Sequence, residues 1–95
     1  MERKYWSFVI PALELDFSQQ VRDLEARGIA GVAVPQVYGS PFAPLSAVAA
    51  VTTKLELATG IAIGLTRSPF ETAVSSIELD QLSKGRFILG LGTGP

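Results

Sequence analysis

The chain has 95 residues, of which 47% are apolar and 18% charged, and its net charge is -1. That balance excludes a disordered tail, suits strands buried on both faces, and leaves no basic footprint for nucleic acid or an anionic membrane. Cysteine and histidine are both absent, which removes disulfides, thiolate metal sites, cysteine nucleophiles and the commonest general base and metal ligand.

Glu2, Arg3 and Lys4 precede an apolar stretch at residues 5–13, the outline of a secretory signal. Ser7 and Pro11 interrupt the stretch, and no small-residue cleavage site precedes Glu14 and Asp16. Residues 5–10 therefore read as a first buried strand of a cytoplasmic protein. No apolar run reaches the length needed to cross a bilayer.

A helix follows. Asp16 is placed to cap its free N–H groups, with Gln19 as capping-box partner. Phe17, Val21 and Leu24 form one apolar stripe, and Gly28 supplies the left-handed stop. The second strand is read at residues 30–34. A second helix is expected from near Pro44, through Leu45, Val48 and Ala49, to about Thr53. The third strand covers residues 55–61. The third helix has the clearest start, because Ser68-Pro69-Phe70-Glu71 sets a cap, an N1 proline and a capping-box Glu in register. Phe70, Ala73, Val74 and Ile77 are expected to form its buried face, and Gly85 to end it. The fourth strand is read at residues 86–91.

The strand starts, at residues 5, 30, 55 and 86, repeat at the spacing of strand–helix units, so the sheet is expected to be parallel with right-handed crossovers. The helices end at Arg27, Lys54 and Lys84, cations that complement the negative helix end. Periodicity leaves two architectures open, a doubly wound open sheet and part of an eight-stranded barrel.

Either architecture puts ligands at the C-terminal ends of the strands. Those ends are residues 10–12, 35–39, 59–64 and 92–95. Gly90-Leu91-Gly92-Thr93-Gly94-Pro95 invites a dinucleotide reading, but the fingerprint needs glycine or alanine where Pro95 stands. The competing reading is that Gly90 and Gly92 permit close packing at a strand exit. Gln36 and Tyr38 offer an amide and a phenol. Glu56 reads as a strand-start residue near solvent. Glu78 and Asp80 are expected to pair with Arg86 as a structural ion pair, at the end of the sheet away from chemistry. No pair of carboxylates falls at the strand C-termini, so two-carboxylate acid–base work has no support. No catalytic residue and no metal site is assigned.

Residues 28–94 resemble the luciferase-like family of flavin- and deazaflavin-dependent oxidoreductases. The likeness is carried by residues 27–35, by Leu57-Ala58-Thr59-Gly60-Ile61 followed by Leu65-Thr66-Arg67-Ser68-Pro69, and most specifically by residues 79–94 around Leu82-Ser83-Lys84-Gly85-Arg86-Phe87. The resemblance implies an α/β fold, the N-terminal half of a (β/α)8 TIM barrel in the order β-α-β-α-β-α-β. It implies a bulge at the end of the third strand, often with a non-proline cis peptide, here Gly60–Ile61, that backs the cofactor ring. Thr59, Gly60 and Ile61 would back that ring, and Gln36 and Thr93 would line its pocket. The implied cofactor is coenzyme F420, a deazaflavin, with FMN as the alternative, acting with a small-molecule substrate. The run from Thr59 to Gly64 and the glycine-rich exit at residues 90–94 favour the deazaflavin branch. Gln36 stands where many members have an acid or histidine, and Ser68 where many have histidine. Two rival readings remain: a non-catalytic fragment that self-associates through unpaired barrel edges, and a small nucleotide-binding domain with an open sheet.

Overall fold

The computed structural model describes residues 4–10, 16–36, 39–64 and 67–93. Strands and helices alternate along them: β1 (Trp6–Phe8), α1 (Phe17–Ala26), β2 (Gly31–Val34), α2 (Phe42–Val51), β3 (Glu56–Thr59), β4 (Ala62–Ile63), α3 (Pro69–Leu82), β5 (Phe87–Ile88) and β6 (Leu91–Gly92). All strand pairs are parallel. β1, β2, β3 and β5 hydrogen-bond in chain order, and β4 pairs with β6 just beyond. The third and fourth strands of the sequence reading are thus each broken in two, at residues 60–61 and 89–90.

Alternation sorts the strand residues onto two faces. Val32, Val34, Leu55 and Leu57 are buried with Val21 of α1, Leu45 and Val48 of α2 and Leu79 of α3 in one core. On the opposite face, Trp6 lies beside Gly31 and Phe8 beside Ala33 in the sheet register. That face is open: Trp6, Phe8 and Ile88 remain 42%, 72% and 44% exposed. The first strand is therefore buried on one side only, through Val9, where a fully buried strand was expected.

The caps follow local chemistry. Asp16 accepts the Gln19 N–H at 3.1 Å, but the Gln19 side chain turns forward to Asp23 at 2.9 Å, so the capping box is half formed. Gly28 sits at φ +84° and stops α1. In α3, Ser68 accepts the Glu71 N–H at 3.0 Å, with Pro69 at the first position. α2 starts two residues before Pro44 and ends at Val51, since Ser40 and Pro41 already open its first turn.

The expected core face of α3 is corrected. Phe70, Val74 and Ile77 are 76%, 37% and 58% exposed, while Thr72 and Leu79 are buried. α3 meets α2 on the side that carries Ser75 and Leu79, beside Phe42, Ala43 and Ser46. Ile77 faces outward and, with Pro69, Ala73, Leu89 and Leu91, lines an apolar groove of about 400 Å³.

The ion pair expected between Arg86 and Glu78 or Asp80 is absent. Arg86 instead donates to the carbonyls of Ala49, Thr52, Leu55 and Ser83 and to the Thr52 hydroxyl, at 2.7 to 3.2 Å. It caps the C-terminus of α2, where orphan carbonyls gather. Glu25 does the complementary work beside it, accepting the N–H groups of Thr53, Lys54 and Leu55. Partial burial works to raise the Glu25 pKa, but those backbone donors and the Arg86 charge outweigh it, and the net direction is downward.

Candidate functional site

Parallel strands place all their C-terminal ends at one rim, and the breaks in the sheet lie there. The register locates the irregularity. Leu57 pairs with Phe87, thirty residues on, whereas Ala62 pairs with Leu91, twenty-nine on. One extra residue has therefore entered the third strand between them, a β-bulge at residues 60–61. The Gly60–Ile61 peptide bond there is cis, as the family resemblance implies.

Gly60 lies on the open face of the sheet. A Cβ there would come within 3.0 Å of Ala33 Cβ and 3.2 Å of Phe8 Cε1. Ala33 and Ala58 adjoin it in register, so small side chains leave a low floor beside the exposed Phe8. Ile61 is 39% exposed, and its Cδ1 lies against Gly92. A Cβ on Gly90 would run into the Thr59 carbonyl oxygen. The close-packing reading of Gly90 and Gly92 therefore holds.

Polar side chains hold this bulge from both sides. The Gln36 N–H donates to the Ile61 carbonyl at 3.2 Å, and Gln36 Oε1 accepts the Ile63 N–H at 2.8 Å. Thr59 is buried. Its hydroxyl donates to the Gly90 carbonyl at 2.7 Å and accepts the Gly90 N–H at 2.8 Å. Arg67, which sequence reasoning did not single out, reaches Gln36 Oε1 at 3.2 Å and the Ile63 carbonyl at 3.4 Å. Its guanidinium lies 5.3 Å from the centroid of the Phe42 ring. Nothing in its local sequence signals this, because Phe42 and Gln36 are brought to it only by the fold.

The structure thus gathers Gln36, Thr59, Gly60 and Ile61 into one cluster. Thr93 follows β6 at the same rim and is exposed. Tyr38, Gly94 and Pro95 lie outside the described residues. Among the described residues, no group of acidic side chains is arranged to hold a metal ion. No helix among them is long and apolar enough to cross a membrane.

A sequence model of the luciferase-like monooxygenases matches residues 16–95. The chain belongs to this family. It is 43% identical over 70 residues to an uncharacterized protein of Mycobacterium tuberculosis strain H37Rv, a match covering 74% of this chain and 21% of the relative. The luciferase-like fold is equally clear in three dimensions. A coenzyme F420-dependent tetrahydromethanopterin reductase from Methanopyrus kandleri superposes with a TM-score of 0.86 at 26% identity, over 100% of this chain and 28% of the reductase. A monooxygenase from Streptomyces bottropensis gives 0.83 at 24% identity, over 95% of this chain and 33% of that one. The oxygenating constituent of 3,6-diketocamphane monooxygenase from Pseudomonas putida, a type II Baeyer–Villiger enzyme in complex with FMN, gives 0.79 at 17%, over 96% and 30%. The chain thus spans about a fifth of its curated relative and about three tenths of these structures. Its sheet and three helices are the luciferase-like form of part of a parallel β/α barrel, not an open nucleotide-binding sheet.

Proposed function

We propose that this chain carries the ring-backing part of a luciferase-like oxidoreductase that works with a reduced deazaflavin, coenzyme F420, and with FMN as the alternative. The observation that supports it most is the one-residue bulge at the strand C-termini, facing the open side of the sheet. The small side chains of Ala33, Ala58 and Gly60 form a flat floor beneath the edge of the exposed Phe8 ring, and a planar tricyclic ring would stack on that floor. Thr59, Gly60 and Ile61 back that ring, and Gln36 and Thr93 stand at its rim. The similarity to an F420-dependent reductase and to an FMN-containing monooxygenase supports the two cofactor choices.

The cofactor supplies the redox chemistry, and the residues of this chain orient it. The bulge offers backbone surface to one side of the ring, while Ile61 adds an apolar contact. The reaction takes a small-molecule substrate and proceeds in the cytoplasm, a reducing compartment. The test is titration of the full protein with FMN and with the deazaflavin, followed by ring fluorescence. Binding of one of them at micromolar concentration is expected, and failure of both refutes the reading.

A second reading, self-association, has its own observation. The accessible surface is 6269 Å² for 10.1 kDa, against about 5,300 Å² expected of a compact protein of this mass. Exposed apolar side chains gather on the open face, at Trp6 and Phe8, and on the outward side of α3, at Phe70 and Ile77. The β1 and β5–β6 edges carry neither charge nor proline at residues 6–10 and 87–92, the usual guards against edge pairing. Light scattering on the 95-residue chain should give more than a monomer mass. A compact monomer at tens of micromolar rejects this reading.

A further inference from the structure

A parallel ladder advances by two residues per strand, with donors alternating between the strands. Between β2 and β3 the Glu56 N–H reaches the Ala30 carbonyl and the Gly60 N–H reaches that of Val34. The next bonds due are Gln36 N–H to the Gly60 carbonyl, then Ala62 N–H to the Gln36 carbonyl. The bulge delays both. Gln36 N–H reaches Ile61, one residue late, and the following donor, Ile63 N–H, meets the side-chain oxygen of Gln36 at 2.8 Å. The other flank behaves in the same way. Leu57 N–H reaches the Arg86 carbonyl, so Gly90 N–H is due at the Thr59 carbonyl. It goes instead to the Thr59 hydroxyl oxygen at 2.8 Å, while Ala62 N–H takes the Gly90 carbonyl at 2.8 Å.

We propose that Gln36 and Thr59 are positioning residues, whose side-chain oxygens substitute for ladder acceptors on either flank of the bulge and thereby set how far residues 60–61 stand from the sheet. Neither side chain needs to touch the ring to govern it. Gln36 Oε1 also accepts from Arg67, so one oxygen joins the end of β2, β4 and the approach to α3. A part-buried N–H that loses its acceptor must turn to water or move with its strand. The consequence for the cofactor rests on the function proposed above, whereas the clamp itself rests on hydrogen-bond geometry.

The test is amide hydrogen exchange by NMR on the full chain, with cofactor titration beside it. Gln36→Met should speed exchange at Ile63, and Thr59→Val at Gly90, by at least tenfold. Gln36→Glu and Thr59→Ser keep an acceptor oxygen and should retain the protection. Gln36→Asn, one methylene short, and Thr59→Ala are the milder disruptions if the first pair fails to fold, and they should lose it as well. Dissociation constants for FMN or the deazaflavin should weaken at least tenfold in the disrupted variants and recover in the conservative ones. Wild-type exchange in a disrupted, folded variant overturns the proposal. So does weakened ring binding with the Ile63 amide still protected, since Gln36 would then be a direct contact. If the native protein binds neither ring, the functional reading fails, and the exchange arm still decides the clamp.

Discussion

Arg86 joins the third helix unit to the second. Its guanidinium makes five hydrogen bonds, two of them to the last carbonyls of the α2 end at Ala49 and Thr52. A hydrogen bond to a charged group contributes roughly 1.5–3 kcal/mol. The five are not additive, because the polar hollow beside Arg86, lined by Thr52, Thr53 and Lys84, lets water reach the freed carbonyls. About 3–4 kcal/mol is therefore expected for Arg86→Met. A domain of this length has about 5–14 kcal/mol in total, so the loss is a large share of it. With a urea m-value of about 1–1.5 kcal/mol/M, the unfolding midpoint should fall by about 2–4 M. Arg86→Lys is the informative control. A single ammonium cannot span Ser83 and Ala49 as a planar fork does, so lysine should recover less than half the loss. Urea unfolding followed by circular dichroism measures both. A methionine variant within about 1 kcal/mol of wild type, or full recovery by lysine, refutes the capping role.

Glu25 should confer pH dependence. Its folded pKa lies below the 4.5 of an ordinary glutamate, so its stabilisation is present above that value and is lost as pH falls through the depressed folded pKa. Glu25→Gln should lower the urea midpoint at pH 7 and flatten its decline below pH 4.5; parallel profiles for the two proteins would contradict this. Gly90→Ala forces a methyl group onto the Thr59 backbone oxygen, which cannot rotate aside, and should cost about 2–3 kcal/mol, read as a lower melting temperature. An unchanged melting temperature would mean that the strands can part there freely. Ser68→Ala removes the α3 cap and should cost about 1 kcal/mol, with Ser68→Asp restoring it.

Much of the fold is local chemistry and was legible as such. The alternation of short apolar runs with capped helical stretches specifies the order of elements. Asp16, Gly28, Ser68 and Gly85 mark boundaries because a cap or a left-handed turn depends on a few adjacent residues. The architecture was not legible in periodicity, since open sheets and barrels share it, and the likeness to a family separated the two. The buried face of α3 is not legible in the sequence for a related reason. Of its large apolar residues Leu79 is buried while Phe70 and Ile77 are exposed, and which side faces α2 is a property of the packed pair.

Around the bulge the division is sharper. Gly60, Ile61 and Thr59 were singled out from the sequence by resemblance, and Gln36 by its place after a strand. What each side chain does was decided by tertiary structure. One inserted residue shifts the register of two neighbouring ladders, and that shift brings Gln36 Oε1 to Ile63 and the Thr59 hydroxyl to Gly90 across 27 and 31 residues of chain. Sequence determines that a strand is present and which stretch of chain carries it. The partner of each displaced N–H depends on three strands meeting in space, and only the folded sheet specifies it.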